Sequence, residues 1–146
     1  MKTTMKKIYI ALLLFMVTVL PTCAQKVTCR DVFRAMPDSI VPYLTENNRL
    51  DMLDFMDSHM KAVVQNRFDG HSEMLTLSDD SLTLKLSDAL LMTISLVESQ
   101  EDIDGSRQLV CVKEQIGVPS SVVNNKCTFY SLIWRKLDEE TLKLVK

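Results

Sequence analysis

Between Ser81 and Ser87 every second residue is a leucine. Leu82, Leu84 and Leu86 fall on one side of an extended chain, Thr83 and Lys85 on the other. Successive side chains of a strand point to opposite faces, so this pattern specifies a strand with one face buried and one in water. Such strands belong to antiparallel sheets. The same period returns in Leu90, Met92, Ile94 and Leu96 against Thr93 and Ser95. It returns again in Val110 and Val112 against Cys111 and Lys113, and in Tyr130, Leu132 and Trp134 against Cys127, Ser131 and Arg135. Met74–Ser78 reads as a further short strand, Asp79-Asp80 as a turn and Glu98–Gly105 as a polar loop. Gly117-Val118-Pro119 opens a connection that takes in Asn124-Asn125. The expected sheet is a meander of about five strands.

A sheet with one apolar face needs a cover. Val27–Met36 reads as a short helix that Pro37 ends, because the residue before a proline disfavours helical backbone. Ile40–Leu44 is a short apolar piece interrupted by Pro42. From Arg49 to about Phe68, Leu53, Met56, Met60 and Val63 recur at helical spacing. Met52, Phe55, His59 and Ala62 form an adjacent stripe. Asn47-Asn48 reads as its N-cap and Gly70 as its left-handed stop. Asp57 and Lys61 are expected to pair one turn apart. The expected fold class is α+β, with N-terminal helices on one face of the antiparallel sheet. Asp138–Lys146 is compatible with a helical turn or a strand.

The first 24 residues have a different character. Lys2, Lys6 and Lys7 precede Ile8–Leu20, an apolar run broken only by Thr18. This matches a signal peptide, and the run is too short for a stable transmembrane helix, which takes about 20 residues. Thr22 and Ala24 place small residues where signal peptidase reads them, so cleavage after Ala24 would leave Gln25 first. Leu20-Pro21-Thr22-Cys23 loosely matches a lipobox, and the alternative is a chain anchored through a lipid on Cys23. Residues 25–146 would then form one domain. Loss of the three lysines, with no acid removed, would move the formal charge from −2 to −5. An acidic chain with no basic cluster is a poor binder of nucleic acid, whose affinity comes largely from phosphate neutralisation. No transmembrane segment is expected after cleavage.

Chemistry is less legible. The three glycines, Gly70, Gly105 and Gly117, are isolated, which excludes phosphate-cradling loops. After cleavage the cysteines are Cys29, Cys111 and Cys127, with no Cys-x-x-Cys, and spacing alone leaves three pairings open. Cys111 and Cys127 fall on the same outer face of neighbouring strands. A hairpin centred near Pro119 would set them roughly opposite, which makes them the preferred bridge. It would close a loop of about 16 residues and contribute roughly 3 kcal/mol. Cys29 is then the odd thiol, expected as a small buried hydrophobe. Asp51, Asp54 and Asp57 read as a solvated helix face. His59 reads as a partly buried, hydrogen-bonded histidine, and His71 as an exposed turn residue. Asp102-Ile103-Asp104-Gly105 looks like part of a calcium loop, but Gln100 and Cys111 stand where that loop needs acids, and Asp-Gly is a hairpin signal. Tyr130 and Trp134 read as core. No catalytic set, metal site or cofactor is expected.

Met36-Pro37-Asp38-Ser39, followed by the run from Pro42 to Asp57 (PYLTENNRLDMLDFMD), resembles an uncharacterised family of small exported Bacteroidales proteins. Gly70–Leu86, with its Asp-Asp turn, fits the same family. The resemblance covers most of residues 29–98. It implies an envelope location and a single compact domain, and brings no catalytic or binding residue. The expected function is therefore a non-enzymatic, periplasmic or surface-attached module that binds an envelope protein or surface component, with an open sheet edge as the surface. The alternatives are an exported hydrolase or thiol enzyme using Cys29 with His59 or His71, and a small-ligand carrier with a cavity beside Trp134.

Overall fold

The computed structural model describes residues 26–118 and 121–138. The signal segment with Ala24, Gln25 and Cys23, the hairpin centre at Pro119 and the tail from 139 onward lie outside the described residues. Among the described residues two short helices, α1 (Cys29–Arg34) and α2 (Glu46–Asp57), precede six strands. These are β1 (Ala62–Gln65), β2 (His71–Leu77), β3 (Ser81–Ser87), β4 (Leu90–Ile103), β5 (Ser106–Val118) and β6 (Ser121–Ser131). They form one sheet in the order β1-β2-β3-β4-β5-β6, and each neighbouring pair is antiparallel. The meander thus has six strands rather than about five. No helix among the described residues is long and apolar enough to cross a membrane.

The extra strand comes from the end of the expected long helix. Helix α2 stops at Asp57, His59 takes a positive φ of 54°, and Ala62–Gln65 runs as strand β1. Val63 and Val64 are β-branched and favour the pleated surface. A helical stripe that included Met60, Ala62 and Val63 was in fact a helix followed by a strand. The expected Asp57–Lys61 pair therefore does not form. Asp57 binds Arg30 on α1 through two hydrogen bonds, and Lys61 lies 3.5 Å from Glu73 on β2. His59 is exposed rather than partly buried. Gly70 belongs to the β1–β2 hairpin, not to a helix end. In that hairpin the buried Asn66 side chain accepts from the backbone N–H groups of Phe68 and Gly70 and donates to Ser72 Oγ and Leu86 O.

Both helices start on capping boxes. Thr28 Oγ1 accepts from Asp31 N while Asp31 returns a bond to Thr28 N, so α1 is shorter than Val27–Met36. Thr45 Oγ1 accepts from Asn48 N, and Asn48 Oδ1 accepts from Thr45 N. The N-cap of α2 is therefore Thr45, and Asn48 is its third-residue partner. Threonine wins because it has a capping side chain three residues ahead to reciprocate.

The remaining strands are longer than their sequence patterns. β4 runs on through the expected loop to Ile103, and the connection to β5 is a tight turn at Asp104 (φ 55°) and Gly105 (φ 84°). Two successive positive φ values are what Asp-Gly supplies to a hairpin. Asp102 Oδ1 accepts from Gly105 N, and Asp104 grips Arg135 through both carboxylate oxygens. Asn124 and Asn125 lie within β6, paired with Ile116 and Gln115.

Leu82, Leu84, Leu86, Met92, Ile94, Val110 and Val112 are all buried, on the face that alternation assigned. They form one cluster with Cys29, Val32 and Phe33 of α1, Met52 and Leu53 of α2, and Met36, Val41 and Leu44. A second, smaller cluster on the other face joins Ile103, Leu109 and Leu137, with Val97 and Phe129 against it. β6 ends at Ser131, so Trp134 is not on the strand. It reaches the main core from a turn at φ 63°, with Nε1 donating to Val32 O at 3.2 Å.

One buried charge ties the helical half together. Arg49 on α2 is 3% exposed and donates to Asp38 Oδ1 at 2.7 Å, and Arg67 holds the other oxygen of Asp38. The hydrogen bond from Arg49, reinforced by the charges of Arg49 and Arg67, holds the Asp38 carboxyl below its ordinary range. A depressed folded-state value means stability that is present above the unfolded value of about 3.9 and is lost as pH falls through the folded one. We expect the urea midpoint of the wild type to exceed that of Asp38→Asn above about pH 5, and the gap to close toward about pH 2. A gap that is constant with pH would show that the charge of Asp38 does not act in this way.

Candidate functional site

An open sheet has two edges, and here they differ. Edge strand β1 has four residues, and α2 blunts it: Asn48 Nδ2 donates to Gln65 O, and Arg67 N, just beyond the strand, donates to Tyr43 O. Short, covered edges are how sheets avoid unwanted pairing. The other edge, β6, has eleven residues. Its register with β5 pairs Leu109 with Ser131, Cys111 with Phe129, Lys113 with Cys127 and Gln115 with Asn125.

Among the described residues, the chain beyond β6 turns back and engages the end of this edge. Ser131 N donates to Arg135 O, Leu137 N donates to Phe129 O, and Tyr130 bridges Lys136. Phe129 and Ser131 thus turn their backbone groups away from β5. Antiparallel pairing alternates at every second residue, so Cys127 and Asn125 do the same. The Arg135–Asp104 ion pair and the burial of Leu137 hold this return in place. Between β6 and the returning segment, a cleft of about 580 Å³ is lined by Lys126, Cys127, Thr128, Phe129, Lys136, Leu137 and Asp138.

Cys127, one of two neighbouring thiols, lines this cleft. Cys111 Sγ and Cys127 Sγ are 3.1 Å apart, both as free thiols. They are diagonal neighbours rather than directly opposed, since Cys127 faces Lys113 and Cys111 faces Phe129. Both occupy the non-hydrogen-bonded positions of the ladder, where side chains on one face approach most closely. Cys127 is exposed and Cys111 half-buried. Burial, followed by the bond and charge of Cys127, pushes the Cys111 thiol up to about 12.

The other sequence candidates are not assembled into chemistry. Cys29 is fully buried, its Sγ donates to Ile94 O at 3.6 Å, and burial pushes its thiol up to about 12. A thiol in that state is a small hydrophobe, not a nucleophile. His59 is exposed in a separate hollow with Arg30, Asp57 and Asp79, and His71 begins β2 at the opposite side of the sheet from β6. Trp134 packs against Tyr130 with ring centroids 5.4 Å apart and joins the main core, so its ring is part of the packing. Among the described residues no group of three or more His, Cys, Asp or Glu could hold a metal ion. Sequence reasoning missed the returning segment at 135–137. Its only local signal is the single Leu137 between charged residues.

A family model described as "Protein of unknown function (DUF3256)" matches residues 21–145. No curated protein matches the chain. Among solved structures, a domain of an uncharacterized protein from Porphyromonas gingivalis W83 superposes with a TM-score of 0.59 at 19% identity. The match covers 76% of this chain and 54% of that one, so the chain spans about half the length of that structure. At this identity the likeness concerns the fold alone; its source lies in the Bacteroidales.

Proposed function

The chain belongs to the DUF3256 family of proteins of unknown function, and on that premise we propose that it is an exported envelope module. It binds an extended segment of a partner protein along the edge of β6. One observation carries this reading: among the described residues β1 is short and covered by α2, whereas β6 is long and turns the backbone groups of Asn125 and Cys127 outward. Strand addition takes its affinity from such main-chain groups and its specificity from alternate side chains. Exposed Lys136, with Lys126 beside it already 3.4 Å from Glu114, would favour a partner segment with acidic side chains. In this reading α1 and α2 cover the inner face of the sheet and leave the β6 edge to present.

Export rests on Lys2, Lys6, Lys7 and the apolar run Ile8–Leu20. Cleavage after Ala24 gives a periplasmic chain starting at Gln25; the alternative is a lipid on Cys23 and an anchored chain. Intact mass from native envelopes distinguishes these two. A chain that retains residues 1–24 would overturn both cleavage and lipidation, and retention in a chain recovered from the cytosol would overturn export.

The binding surface is tested with a photo-crosslinking residue at position 126 in living cells, and with a control at position 65 on β1. The expected result is an adduct with one envelope protein from position 126 and none from position 65. Asn125→Pro, which deletes one outward N–H of the edge, should abolish that adduct. Equal labelling from both positions, crosslinks confined to this chain or to a second copy, or no adduct would each overturn the proposal.

A further inference from the structure

We propose that Cys111 and Cys127 form a reversible thiol–disulfide couple beside the β6 cleft, with Cys29 as a sequestered spectator. The pairing is selected by position. The two sulfurs are 3.1 Å apart on one face of adjacent strands, so about 1 Å of approach separates them from a bond of about 2.05 Å. Cys29 is held in the interior of the main core, bonded to Ile94 O. Cys29 therefore does not compete for either partner, because its thiol cannot reach an oxidant while the chain is folded.

The geometry also orders the chemistry. Cys127 is exposed and Cys111 is half-buried behind it. Cys127, as thiolate, attacks one sulfur of an external organic disulfide. A mixed disulfide forms and one thiolate leaves, which takes up the proton that Cys127 gave to solvent. Cys111, as thiolate, then attacks the sulfur of Cys127. The Cys111–Cys127 bond forms, the mixed disulfide breaks, and the second thiol leaves with the second proton. The two cysteines lose two electrons and the external disulfide gains them. The burial that raises the Cys111 thiol makes it a poor first attacker of a disulfide in solution. Against Cys127, Cys111 is already in place. The result is a covalent tie between β5 and β6 that fixes the edge strand beside the cleft.

This inference stands on the thiol geometry and not on export or partner binding, so it is tested on the purified full chain carrying Cys23→Ser, which leaves the three cysteines named here, with oxidised glutathione as the probe. The expected product has lost two hydrogens, carries a Cys111–Cys127 link on non-reducing peptide mapping, and leaves Cys29 open to alkylation only after unfolding. Cys111→Ser should stop at one glutathione on Cys127. Cys127→Ser should react about tenfold more slowly than wild type. The side chains replaced are exposed or half-buried, and circular dichroism checks that both variants fold. A wild type that accumulates glutathione on both cysteines, a link through Cys29, or thiols at 111 and 127 that stay alkylatable after oxidation would overturn the proposal.

Discussion

Leu84→Ala is expected to cost about 3–5 kcal/mol, enough to remove a large share of a typical domain stability of about 5–15 kcal/mol. Leu84 is fully buried at the middle of β3, between Met74 on β2 and Met92 on β4. Its neighbours are held by ladder bonds on both sides, so the sheet cannot close over the missing methyl groups and the cavity remains. The upper part of the range for buried leucines applies for that reason. Urea unfolding followed by circular dichroism measures the loss as a lower midpoint at unchanged slope. Leu84→Met keeps the volume and should lose less than about 1.5 kcal/mol. If Leu84→Ala lost less than about 1 kcal/mol, the central position of β3 in the core would be wrong.

Trp134→Ala is expected to cost about 3–5 kcal/mol, the usual range for deleting a buried tryptophan. Three things are lost together. The ring leaves the main core, the tilted contact with Tyr130 goes, and Val32 O loses its donor. The last of these joins the segment after β6 to helix α1 at the other end of the described chain. Trp134→Phe separates the contributions, since it retains an aromatic ring and loses the N–H, and should cost roughly 1–3 kcal/mol for the orphaned carbonyl and the lost volume. Trp134 is the single tryptophan of the chain, so wild-type fluorescence reports on this site directly. Emission typical of a water-exposed indole in the folded protein, or a Trp134→Ala variant as stable as wild type, would refute the packing.

How much of this was legible beforehand depends on the length scale of each feature. The buried faces of β3, β4 and β5 were readable from Leu82, Leu84, Leu86, Met92, Ile94, Val110 and Val112, because alternation follows from the covalent geometry of an extended chain. The Asp-Gly turn at 104–105 was readable for a similar reason, since two adjacent positive φ values select that dipeptide. Burial of Cys29 as an inert thiol was also readable, and so was the shared outer face of Cys111 and Cys127. The helix that the sequence extends to Phe68 gives way to a strand at Ala62. A few apolar residues there satisfied both periods, and pairing with β2 decided for strand.

The sequence by itself determined the inward faces of β3, β4 and β5, the turns at Asp79-Asp80 and Asp104-Gly105 and that the chain makes an antiparallel sheet, because those depend on neighbours a few positions apart. Only the tertiary structure decided that there are six strands, that β1 is the covered edge and β6 the long one, and that Cys111 meets Cys127 on a diagonal. It also decided that Trp134 enters the core after leaving its strand, by a bond to a residue 102 positions away. Register, edges and such closures are settled by contacts between distant segments. Their free energy is absent from any local pattern and appears only when the sheet is assembled.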